Sequence, residues 1–179
     1  MARANRMTHL IRRLAGDREG AVAIEFAIVA IPFLFMMFSI LEIGRLYALS
    51  SVLEDATMDA GRRIRTGEMQ TSGASAATFR AAVCDRMSIF EGECNQRLSV
   101  DVRVMPQFAN QTPPDPVTGE TFSEGQLTYQ PGGANDIVLV RTWWRAPLFA
   151  PLMTQGLQKL SDGSAVLTAA STFRTEPYE

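Results

Sequence analysis

The chain has 179 residues, 46% of them hydrophobic and 20% charged, with a formal net charge of −2 at pH 7. The slight acidity argues against nucleic acid as a partner, since phosphate is drawn to basic surfaces. One histidine, two cysteines and no internal repeat leave little material for a metal centre and room for one small core.

Residues 1–20 carry Arg3, Arg6, Arg12, Arg13 and Arg18 against Asp17 and Glu19. From 21 to 41 Glu25 is the only charge, and at ~1.5 Å per helical residue this stretch is about long enough to cross a ~30 Å hydrocarbon layer. The residues predict one membrane span, its basic N-terminal flank held in the cytoplasm and the rest of the chain exported. A charge inside such a span costs ~2.5–3.5 kcal/mol on insertion scales, which makes Glu25 a functional-site candidate by default. A plain signal anchor is one alternative. A cleavable secretory signal ending near Ala48, Leu49 and Ser50 is another, although such signals usually have an apolar region of ~7–15 residues.

A short basic leader, then Gly20, then Glu25 and Phe26 at the head of an apolar helix resembles a type IV prepilin. The Glu-Phe pair, Pro32 within the apolar run, and Glu42-Ile43-Gly44-Arg45 are similar to the TadE-like family of Tad/Flp-type pseudopilins. So is the tail Thr172-Phe173-Arg174-Thr175-Glu176-Pro177-Tyr178, with Thr175 where the family usually has Asn.

The resemblance implies a prepilin peptidase that cuts after Gly20 and leaves Ala21 as the mature N-terminus. Glu25 and Phe26 would then serve processing and assembly. Glycine at the cut lets a protease approach the backbone closely; the competing role for Gly20 is a helix breaker at the membrane edge. Once freed, the Ala21 amine of one subunit could compensate the Glu25 carboxylate of a neighbour, since a buried charge must be paired. The alternative is a Glu25 that snorkels to the headgroups. Pro32 removes an intrahelical hydrogen bond and should kink or locally melt the span, with or without a function in packing.

Beyond Leu41 the apolar positions Leu46, Leu49, Val52 or Leu53, Ala56, Ala60 and Ile64 recur every three or four residues, which predicts one helix over about 22–65, stopped at Thr66-Gly67. A linker over 68–75 and a short helix capped by Ser75 follow. Residues 97–105 alternate apolar and polar side chains, predicting a half-buried strand with a wet polar face. The Pro- and Gly-rich stretch 106–135 predicts a long loop, either a partner contact or a surface excursion. A second strand over 136–145 would put Trp143 and Trp144 on opposite faces, one inward and the other exposed or at an interface. Residues 147–159 read as a connector with a short helix, and Asp162-Gly163 as a turn before a third strand over about 164–174.

Cys84 and Cys94 both fall on the exported side, where an oxidising compartment favours their pairing as a disulfide. The only histidine, His9, lies in the leader, so the head lacks an imidazole for general base work. Losing the leader also takes the formal charge from −2 to −5, since it carries five arginines and two acids.

The expected fold is α+β: a leader over 1–20, a transmembrane and stem helix over 21–66, and a periplasmic head over 67–179. The stem helix packs on a small antiparallel sheet in a pilin-like arrangement, with one or two short helices. The implied partners are a prepilin peptidase, other pilins and pseudopilins of a Tad system, an inner-membrane assembly platform and membrane lipid, with no cofactor, no metal and no catalysis. The rival outside this family is a bitopic periplasmic binding or scaffold protein that is neither processed nor assembled.

Overall fold

The computed structural model describes residues 18–109, 111–149 and 160–177. The leader before Arg18 and most of the connector expected over 147–159 lie outside these residues. The chain divides between Leu41 and Glu42 into two units.

Helix α1, Arg18–Arg65, starts earlier than the periodicity predicts. It is long and apolar enough to cross a membrane, which is compatible with an anchor. Arg18, Glu19 and Gly20 belong to its first turn, so Gly20 does not break the helix. Nor does Pro32 melt it: the helix runs through that position, because proline removes only one amide and can remain within a helix whose other bonds persist.

In the second unit, α1 ends where predicted. Gly67 has φ 80°, a left-handed conformation that glycine adopts without a Cβ penalty, and its amide donates to the Ile64 carbonyl at 3.1 Å. The expected linker over 68–75 instead contains a one-turn helix, α2, Glu68–Thr71, which buries Met69. Helix α3, Ala76–Cys84, starts with a reciprocal cap: the Ser75 hydroxyl accepts from the Thr78 amide and the Thr78 hydroxyl accepts from the Ser75 amide. Helix α4, Glu91–Arg97, leads into the sheet, so the described residues hold three short α-helices where one or two were expected.

Strands β1, Leu98–Met105, β4, Ile137–Ala146, and β5, Ala165–Arg174, form an antiparallel sheet with β4 in the centre. Between β1 and β4 lies a small hairpin of β2, Val117–Thr118, and β3, Thr121–Phe122. The stretch 106–135 is thus mostly irregular but not wholly so. The turn before β5 is held at Asp162, whose carboxyl lies below its ordinary range because the Ser164 hydroxyl and amide both donate to it.

The sheet's inner face meets α1 through Leu49, Leu53, Ala56, Ala60 and Ile64 against Val100, Val102, Val138, Val140 and Trp144. Burial of these side chains is the main drive for the head to fold. One polar pair crosses the layer, the Thr57 and Thr142 hydroxyls at 2.7 Å, both fully buried.

The outer face corrects two expectations. Ser99 and Asp101 are 0% exposed rather than wet, and Trp143 is buried along with Trp144. The 106–135 loop causes both, by folding back over that face. Phe122 packs edge-on against Trp143 with ring centroids 6.2 Å apart, and Glu124 accepts from the Ser99 hydroxyl and from Arg145. At the edge of β1 the Val102 amide donates to Thr128 and the Gln130 amide donates back to Val102, each at 2.8 Å.

Candidate functional site

The residues singled out in the sequence fall into separate places. In the first unit, Gly20 is partly buried and Ala21, Glu25 and Phe26 are exposed. Ala21 and Glu25 stand four residues apart in α1, so their side chains share one face about 6 Å apart along the axis. Pro32 lies two turns further on.

In the second unit, Glu42 and Arg45 take part in a site that sequence reasoning met only as part of a resemblance. Glu42 is 5% exposed, and a carboxylate so buried needs partners. Arg45 Nη2 lies 2.7 Å from its Oε1 and also donates to the Pro147 carbonyl at 2.6 Å. The Phe149 amide donates to Glu42 Oε2 at 3.3 Å, and the Arg45 guanidinium sits 4.9 Å from the Phe149 ring centroid. These contacts tie the segment after β4 to the first turn of the unit. The available signal was an acid in register with Leu46, Leu49 and Leu53 on the apolar stripe.

At the opposite end of the sheet the tail meets the end of α1. A Cβ on Gly61 would lie 3.1 Å from the Phe173 ring, so glycine there permits the close approach. The Glu176 amide donates to the Arg65 carbonyl and the two side chains form an ion pair at 3.2 Å. Thr175 is buried and its hydroxyl donates to Gly133 O at 2.5 Å and to Asp136 O at 3.2 Å. The basic group near the end of α1 is likewise partly paired, with Arg63 3.9 Å from Asp59.

Two further features hold the head together. Cys84 and Cys94 form a disulfide, both residues buried in the core. Asp101 is the centre of an ionic cluster: Arg141 Nη2 and Arg103 Nε each approach its Oδ2 to 2.7 Å, and the Thr128 amide donates to its Oδ1. Arg141 also donates to Pro114 O, and Arg103 to Gln126 O, so both arginines hold the loop against the sheet. An open groove of about 510 Å³ remains between loop and β1, lined in part by Arg103, Val104, Pro113 and Gln126.

No curated protein and no solved structure matches the chain. Residues 20–62 match the TadE-like protein family. The match covers Gly20, Glu25, Phe26, Pro32, Glu42 and Arg45 and leaves out the sheet and the tail. It makes the beginning of the described chain a TadE-like segment and associates the protein with Tad pilus systems.

Proposed function

We propose that this protein is a pseudopilin or minor pilin of a Tad-type pilus assembly system. A prepilin peptidase cuts after Gly20, residues 21–41 anchor the product in the inner membrane, and the head lies in the periplasm or, after assembly, in or at the tip of a fibre. The observation that carries this is the start of the TadE-like match at Gly20, with Glu25 exposed on the helix one turn past Ala21. The Cys84–Cys94 disulfide suits an oxidising compartment.

The protein acts by assembly and not by catalysis. In an apolar bundle the Ala21 amine of one subunit neutralises the Glu25 carboxylate of the next, and the requirement that both charges be paired sets the axial register. Its partners are then other pilins and pseudopilins and the inner-membrane platform that assembles them. Glu25→Ala tests this: the variant inserts into the membrane as well as the parent or better, and fails to co-assemble with the other pilins. A variant that fails at insertion contradicts the assembly role.

A further inference from the structure

We propose that Ile43, Tyr47 and Phe149 form an apolar foot on the second unit that rests in the phospholipid headgroup layer; the inference relies on the proposed span over 21–41. Ile43 is 56% exposed, Tyr47 75% and Phe149 77%, although each is a side chain that water disfavours.

Phe149 is held in place rather than loosely displayed. Its amide is bonded to the buried Glu42, its ring lies on the Arg45 guanidinium, and Leu148 beside it packs against the core. The ring is thus exposed to its surroundings and yet fixed by a partly buried ion pair.

The level is right for lipid. Ile43 and Tyr47 follow Leu41 by two and six residues, about 3 and 9 Å along a helix, and the polar layer on each side of a bilayer is roughly 5–8 Å thick. Helical side chains tilt toward the N-terminus, which carries the Tyr47 ring back toward the hydrocarbon. Aromatic residues collect at this depth because ring and hydroxyl are satisfied together. The local charge does not oppose it: Glu42 is neutralised by Arg45, and the sequence has no charge between Arg145 and Lys159.

The surroundings favour lipid over a second copy of the chain. At 3.6 residues per turn Ile43 and Tyr47 share one side of α1, whereas Arg45, under Phe149, points to nearly the opposite side. A collar on two sides of a helix fits a medium that surrounds it better than one flat protein face.

The test places a nitroxide on Phe149→Cys in the full chain, in discs of phosphatidylethanolamine and phosphatidylglycerol holding one copy each. The native cysteines are paired and do not take the label. Tyr47→Cys provides a second position that leaves the Glu42–Arg45 site intact. Phe108→Cys, exposed at the other end of the sheet, is the water reference, and Phe35→Cys reports the span. The foot predicts a ratio of oxygen to nickel-chelate accessibility at 149 and 47 several-fold above that at 108 and below that at 35. Labels at 149 and 47 as water-accessible as 108, with 35 still deep, overturn the foot and leave the span. A water-accessible 35 removes the span and the foot with it. Shielding that appears only in discs with two copies makes the surface a protein interface and overturns the lipid assignment.

Discussion

Residues 21–41 and 42–65 are consecutive parts of one helix, yet their side chains need different surroundings. In the first part Phe26, Ile28 and Ile31 face different sides of the helix, and each is more than 60% exposed. In the second, Leu49, Leu53, Ala60 and Ile64 are buried to within 1% while Glu54, Asp55 and Arg62 stay exposed. A helix apolar all round requires an apolar solvent, whereas one with an apolar stripe requires a single packing partner, and here the sheet supplies it. The family match follows α1 through both parts, while the sheet and loop beyond it are held by interactions of their own.

Substitutions separate the two. The largest effect is expected at Asp101, where Asp101→Ala leaves Arg141 and Arg103 without their shared partner under the loop. The head should lose about 3–5 kcal/mol in denaturant unfolding followed by Trp143 and Trp144 fluorescence, with membrane association unchanged. Phe35→Arg should do the reverse, costing ~2.5–3.5 kcal/mol in membrane insertion, read by carbonate extraction, and leaving the head's unfolding curve in place.

Replacing Cys84 and Cys94 together by serine should lower head stability by about 2–3 kcal/mol, mostly through a freer unfolded chain, without altering insertion. Thr57→Val strands the buried Thr142 hydroxyl and should cost about 1–3 kcal/mol, while Thr57→Val with Thr142→Val recovers much of it. A double-mutant cycle in urea checks the coupling.

The smallest effect is one of pH. Burial raises the Tyr129 pKa above its ordinary value, and its hydroxyl is buried with no hydrogen-bond partner among the described residues. The folded head favours the neutral phenol, so this contribution is intact below pH ~10 and is lost as pH climbs through the raised value. Tyr129→Phe should flatten that alkaline slope in thermal melts.

Much of the fold was legible because it is written in local period. The helical stripe from Leu46 to Ile64, the Gly67 stop, the Ser75 cap and the alternation from Leu98 to Val104 all depend on residues a few positions apart. Helix α2 was missed because four residues between Gly67 and Ser72 are too few to show a period. The dry outer face was missed because its cover comes from a loop distant in sequence, and alternation cannot tell water from a returning chain. One sign was present: Asp101 and Arg141 are opposite charges that register places side by side. At Glu42 an acid on an apolar stripe signalled a paired charge, while Phe149, which donates to Glu42, and Pro147, which accepts from Arg45, lie over 100 residues along the chain and could not be read locally.

The most direct test of the account is the intact mass of the protein extracted from its native membrane, compared with that of Gly20→Leu. Loss of residues 1–20 from the parent only, with both products still in the membrane, is the expected result. A parent that keeps its leader contradicts processing and favours a bitopic scaffold, and a soluble product cut near Ala48 to Ser50 contradicts the anchor itself.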